Sequence, residues 1–409
     1  MLEWLVIGGG PHGVHAAARL VGEAGVSRDS VGILDDEDVL LARWRRFTQN
    51  TGMRYLRSPA VHHLDLSSSS LQHFVKGGKG RRFARPFTRP YFRPSLDLFD
   101  RHSNGVIEKF GLEGLHSRGR ASSIEISDES VRVGLAKEVV RGGASEIEAR
   151  HVVLAVGAPR HPVWPRWARG VAGSENALGE AQAIRHIFDP GFNLGDETTQ
   201  GGVVVVVGAG ISGVQVALRC AKAGSRVILL SRHALRIHQF DSDSGWQGPK
   251  YMAGFARIQD PNERRQRIRE ARHRGSIPPD VHAALRCAIA EGRIEHIEQV
   301  EVESARVSGG RVSLCVDGRE ISADRVLLAT GFSSRRPGEG WLDDAIEAHG
   351  LPCAECGYPI VDRGLRWHPR VLVTGPLAEL EIGPVSRNLS GAMRAGERIA
   401  AVARSDWVF

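Results

Sequence analysis

The chain has 409 residues, 42% hydrophobic and 25% charged, an ordinary globular balance with room for two or three domains and sizeable cores. Net charge is +7 and the pI about 9.4, but arginine and glutamate are mixed throughout, so the excess points to anionic small-molecule cofactors and away from nucleic acid. No apolar run reaches the roughly 18–20 residues that span a bilayer, and a strand starting at residue 2 leaves no room for a signal peptide, so a cytoplasmic protein with no membrane partner is expected.

The first predicted element is the strand Leu5-Val6-Ile7. It runs into Gly8-Gly9-Gly10-Pro11-His12-Gly13 and then a helix, Val14 to Val21. This is a phosphate cradle: Gly8 allows the turn, Gly10 lets a pyrophosphate approach the backbone, and Gly13 lets the helix pack close to the strand. The next strand, Val31 to Leu34, ends at Asp35, about 20 residues past the last glycine, where a carboxylate grips ribose hydroxyls. Such a carboxylate disfavours a 2′-phosphate, so the site suits FAD or NAD; Asp36 could substitute. Residues 36–100 then form an insert rich in Arg, Pro and aromatics, with serines at 67–70. Its adjacent His62 and His63 point to opposite sides of an extended segment and read as loop or core histidines.

Short strands at 124–126, 131–133 and 146–148 follow as a meander, and His151 to Val156 leads to Gly157. Residues 166–199 read as a connector, within a Pro- and Gly-marked stretch that includes Pro159, Pro162 and Pro165. A second cradle comes next: Val203 to Val207, then Gly208-Ala209-Gly210-Ile211-Ser212-Gly213. Ser212 can donate to a pyrophosphate and also cap the helix. The following strand, Val227 to Leu230, ends in Ser231-Arg232-His233. No acid stands there, and Arg232 can pair with a 2′-phosphate, so this site suits NADPH. A second insert, 238–290, holds the turn-rich stretch Asp241 to Lys250, where Trp246 and Lys250 are candidates to close over nicotinamide or substrate. Its segment Asn262 to His273 reads as a helix with a solvated charged face.

Strands at 301–303, 312–316 and 319–321 then repeat the meander before Asp324 to Gly331. Each half is therefore one dinucleotide unit. The expected fold is α/β, with two Rossmann-like doubly wound domains: an NADPH unit at 200–330 inserted into an FAD unit at 1–165 and 331–409. Five cysteines at 220, 287, 315, 353 and 356 do not suggest a disulfide framework. Cys353-Ala354-Glu355-Cys356 is a C-x-x-C without a second half, so no metal is expected. H-x-x-x-H, H-E-x-x-H and G-x-S-x-G patterns are missing around the candidate sites, and no catalytic side chain is assigned.

The two cradles, the nesting of one unit in the other, Gly10-Pro11, and Ala329-Thr330-Gly331-Phe332 where relatives carry Ala-Thr-Gly-Tyr resemble the class B flavin-dependent monooxygenases, in particular the lysine/ornithine N-hydroxylase-like branch. The resemblance implies FAD in the first site and NADPH in the second. Reduced flavin would meet O2, form a C4a-(hydro)peroxide and pass one oxygen to a nitrogen, or sulfur, of a small molecule. It implies that Trp44 to Phe74 faces the flavin, with Met53-Arg54 where the family has Met-Gln. It also implies that Gly375, Gly383, Pro384 and Asn388 belong to a glycine-rich turn and helix returning toward the flavin. Arg57 lies near the place of the ornithine enzymes' carboxylate-binding lysine. With Trp246, Lys250 and Asn388 it forms the substrate-side set; a homo-oligomer stays open. The alternatives are an NADPH:acceptor reductase of the disulfide or ferredoxin reductase type, working through Cys353 and Cys356, and a non-catalytic nucleotide-binding redox sensor. In thioredoxin-reductase-like chains the cysteine pair lies within the NADPH unit, whereas here it lies beyond it.

Overall fold

A computed structural model describes residues 1–77, 83–136, 145–157, 162–172, 183–198, 200–338 and 340–405; Pro159 and residues 173–182 of the expected connector lie outside them. The near-continuous Val/Ile/Leu runs become parallel strands because both faces are covered, which leaves no polar alternation to keep. Leu2–Ile7 sits between Val31–Asp35 and Glu146–Leu154, parallel to both. His116–Arg118 extends one side of this sheet in parallel. On the other side Val371–Val373 pairs in parallel with Val152–Leu154, and Arg366–His368 closes the edge antiparallel. The C-terminal region thus completes the sheet begun at residue 2. The first cradle helix, Pro11–Gly22, packs against the last helix, Leu389–Ser405, at a small-residue contact where Gly396 meets His15.

The second sheet repeats the plan. Val203–Val207 lies between Arg226–Ser231 and Arg325–Leu328, all parallel, with Ile294–Glu298 at one edge. Its other edge strand is Ile184–His186, parallel to Arg325–Leu328, so the stretch expected as connector supplies a strand to the second unit. The two meanders differ. In the first unit Glu146–Leu154 is one continuous strand, antiparallel to Val131–Leu135 at its start and parallel to Leu2–Ile7 over most of its length. In the second the chain breaks at Asp324, whose carboxylate accepts from Val203 N at 2.8 Å and pairs with Arg311 at 2.9 Å. Val302–Ser308, Arg311–Val316 and Arg319–Ala323 therefore stand as a separate three-stranded sheet.

The two units are joined by buried contacts. Helix Ala42–Thr51 of the first lies against helix Ile211–Lys222 of the second; Asn50 donates to the Phe192 carbonyl at 2.9 Å, and Phe47 meets Phe188 at 4.7 Å between ring centroids. Arg93, 2% exposed, reaches Asp280 at 2.7 Å. Among the described residues, no helix is long and apolar enough to cross a membrane.

Candidate functional site between two nucleotide cradles

The two cradles have nearly the same backbone. Gly8 and Gly208 take φ of +119° and +111°, the region where only glycine is at ease. A Cβ on Gly13 would lie 1.7 Å from the Gly8 carbonyl oxygen, and one on Gly213 would lie 1.7 Å from that of Gly208. These positions need glycine for packing. Gly10 differs: nothing lies within 4 Å of where its Cβ would be, at the start of the helix whose free N–H groups attract an anion. That open space fits a pyrophosphate. Asp35 closes the same cradle. Its Oδ2 accepts from Gly9 N at 2.5 Å and its Oδ1 from Glu37 N at 2.9 Å; each oxygen keeps a second lone pair for a ribose hydroxyl. Burial pushes the Asp35 carboxyl upward in pKa. Asp36 is instead taken up by Arg43 at 2.7 Å.

The returning C-terminal segment meets this cradle from the other side. His12 Nδ1 lies 2.9 Å from Thr374 Oγ1, and the Gly375 turn, at φ +64°, comes against the His12 ring. Burial holds His12 down to about 4, so its ring is neutral near pH 7. Gly383, at φ +85°, and buried Pro384 form the next turn, under Met252 of the second insert.

The second cradle opens into a cleft with two lobes. The outer lobe, about 800 Å3, is lined by Gly208, Gly210, Arg232, Arg236, Arg274 and Thr330, among others. The inner lobe, about 400 Å3, runs from Gly210, Ile211 and Ser212 to Arg57, Arg272, Phe188 and Phe332, past Thr330 and Gly331. Phe188 and Phe332 are stacked with centroids 4.8 Å apart. Thr330 donates to the Val163 carbonyl at 2.5 Å, which pins the glycine turn that follows. Arg57 crosses from the first unit: its guanidinium donates to the carbonyls of Gln239 at 2.9 Å and His238 at 2.7 Å and to Ser276 Oγ at 2.9 Å. Burial lowers the Arg272 pKa to about 10. Arg236, Arg272 and Arg274 were not singled out from sequence; the signal available was the basic run Arg272-His273-Arg274 directly before Gly275.

Several expected site residues lie elsewhere. Trp44 is turned toward the first core, 5.8 Å from Phe99. Met53 packs on that core, and Arg54 is exposed. Trp246 packs against Phe255 and Tyr251, and Lys250 is exposed above the Tyr251 ring; neither lines a lobe. Asn388 uses its side-chain oxygen to accept from Ser390 Oγ at 2.8 Å and Gly391 N at 3.1 Å, a cap on the last helix. The segment read as a solvated charged helix is Pro261–Ala271, and it is not solvated throughout: Arg265 and Ile268 are buried, and Arg264 and Arg265 pair with Glu381 and Glu379. Cys353 packs beside the first core and Cys356 beside a small cluster around Tyr358, with burial pushing the Cys353 thiol up.

Curated proteins give no match. Among solved structures, an ornithine N-hydroxylase from Kutzneria sp. 744 superposes with a TM-score of 0.74 at 15% identity over 99% of this chain and 100% of its own. A cadaverine monooxygenase from Erwinia amylovora gives 0.72 at 15% identity over 99% and 95%. A bacillithiol disulfide reductase from Bacillus cereus gives 0.61 at 17% identity over 99% of both chains. The fold is thus one shared by N-hydroxylating monooxygenases and disulfide reductases. An FAD binding domain family matches residues 203–320, which hold the second cradle. The pyridine nucleotide-disulphide oxidoreductase family matches residues 2–245, more than half the chain, and it is to this family of oxidoreductases that the chain belongs.

Proposed function

We propose that the chain is an FAD- and NADPH-dependent monooxygenase that hydroxylates a nitrogen, or a sulfur, of a small molecule. The flavin, when bound, supplies hydride acceptance and the activation of O2. The chain's residues do the rest. The first cradle and Asp35 hold FAD by its pyrophosphate and ribose. Ser212 and the helix start at Ile211 hold the NADPH pyrophosphate, while Arg232, Arg236 and Arg274 take the 2′-phosphate. Phe188 and Phe332 wall the inner lobe and keep water from the reacting atoms. The FAD unit then comprises 1–165 with 331–409, and the NADPH unit 200–330 with the edge strand Ile184–His186.

The observation that carries this reading is the inner lobe. It joins the second cradle to the flavin-side Arg57, and no cysteine is among the described residues that line it. A disulfide reductase needs a thiol pair where hydride equivalents emerge. The closer superposition on the ornithine N-hydroxylase than on the bacillithiol disulfide reductase points the same way. The test is NADPH consumption with a panel of amines and thioethers, counting hydroxylated product and peroxide per NADPH, beside a chromogenic aryl disulfide. Product formation with at least one amine or thioether is expected. Peroxide alone with every compound, together with disulfide reduction that needs Cys353 and Cys356, would replace this reading with the reductase.

A further inference from the structure

The geometry points to Glu379 as a positioning residue that fixes the first cradle against the second unit and so sets the approach of the two nucleotides; its catalytic part rests on the two-nucleotide reading above. Glu379 is 1% exposed, on the short helix Glu379–Ile382 of the returning C-terminal segment. One carboxylate oxygen accepts from Arg387 Nε at 2.7 Å, and the other pairs with Arg265, which comes from helix Pro261–Ala271 of the second insert. A buried carboxylate between two buried or half-buried guanidiniums persists only while both cations stay in place.

Tyr358 ties in a third segment. Its ring lies 4.1 Å from Arg265 Cζ and 5.8 Å from Arg387 Cζ. Its hydroxyl accepts from Arg387 Nη2 at 2.7 Å and lies 3.3 Å from the carbonyls of Ser334 and Arg335, just past Phe332 of the inner lobe. On the far side, Ser386 Oγ, next to Arg387 in the chain, donates to the Gly375 carbonyl at 2.5 Å, and the adjoining Thr374 Oγ1 lies 2.9 Å from His12 Nδ1 in the first cradle. A continuous path of polar contacts therefore runs from the second insert, through Glu379, to the first cradle. Guanidinium–carboxylate contacts fix orientation as well as distance. Hydride transfer responds to such placement: an error of about 1 Å costs on the order of a hundredfold in rate.

The experiment uses the full chain with Glu379→Gln and, as a milder change that keeps the charge, Arg265→Lys. Hydrogen exchange is first followed in the flavin-free protein. Faster exchange confined to 261–271 and 375–388, with strands Leu2–Ile7 and Val203–Val207 unchanged, is expected. Flavin-loaded variants are then reduced anaerobically by NADPH and, separately, by dithionite, and NADP+ affinity is titrated. The expected result is at least a tenfold slower reduction by NADPH, with dithionite reduction and NADP+ affinity near wild type. Exchange rising across both sheets in both variants, or a hydride step at the wild-type rate despite local exchange, overturns the positioning role. A wild-type chain that takes up no flavin refutes the underlying reading instead, and the exchange pattern is independent of that result.

Discussion

Replacing Arg232 with alanine should weaken NADP+ and spare NAD+. Arg232 stands at the end of the strand after the second cradle, where an acid would favour NAD, and it lines the outer lobe with Arg236 and Arg274. A charge-assisted hydrogen bond contributes about 1.5–3 kcal/mol. Arg232 is exposed and three other arginines, Arg166, Arg236 and Arg274, line the same lobe, so the low end applies: about 1.5 kcal/mol, or roughly tenfold in affinity. Removing Arg236 as well takes away a second contact and brings the loss to about a hundredfold if the two act independently. NAD+ has no 2′-phosphate, so its affinity should stay near wild type in both variants. Calorimetric titration of the oxidised protein with each dinucleotide gives the two constants directly. Equal weakening of both by Arg232→Ala, or a wild-type chain that binds NAD+ as tightly as NADP+, would refute the assignment.

The glycines of the first cradle make a paired prediction. Gly10→Val places its side chain in open space, so the variant should fold with wild-type stability yet purify without flavin, read by absorbance against a thermal melt. Gly13→Ala drives a Cβ into the Gly8 carbonyl and should cost about 3 kcal/mol or more of stability, read by denaturant titration. Cys353→Ser with Cys356→Ser should keep NADPH oxidation near wild type; its loss with flavin still bound and reducible would favour the reductase. Acid should unfold the protein early. Burial holds His12, His62, His102 and His186 at about 4 and His15 at about 3, whereas the unfolded chain protonates them near 6.5. The unfolded state then binds more protons between these values, so stability is full above about pH 6.5 and falls as pH drops toward 4, by up to about 1.4 kcal/mol per pH unit for each histidine. A urea midpoint that stays flat over that window would contradict the burial of these rings.

What the sequence made legible was local. A cradle is six residues whose glycines must meet each other and one neighbouring strand, so Gly8 to Gly13 and Gly208 to Gly213 could be read without knowing what else packs nearby. The strands on either side carry unbroken Val/Ile/Leu runs because both faces are buried, and that too is written in consecutive residues. The return of the C-terminus to the first sheet was inferred from duplication, and Val371–Val373 beside Val152–Leu154 is where it occurs.

What stayed hidden depends on contacts between distant segments. Arg265 sits in a run that is charged at nearly every position, and no periodicity separates it from Arg267 or Arg269. Yet Arg265 is 4% exposed and held by Glu379, more than a hundred residues away, while half-exposed Arg267 pairs with Glu270 on its own helix. Trp246 and Lys250 stand out by residue type in a turn-rich loop, but type does not say which way a loop faces. Here Asp241 at the start of the stretch lines the inner lobe, while Trp246 turns onto Tyr251 and Phe255, and Met252 and Phe255 just beyond it meet Gly383 of the C-terminal turn. The residues that do line the inner lobe, Arg57, Phe188, Arg272 and Phe332 among them, come from six separate stretches of chain, brought together where the strand ends of the second sheet meet the insert of the first. The lining of the inner lobe is therefore assembled from segments far apart in the sequence, while the fold around it is one that a hydroxylase and a disulfide reductase at 15–17% identity to this chain share.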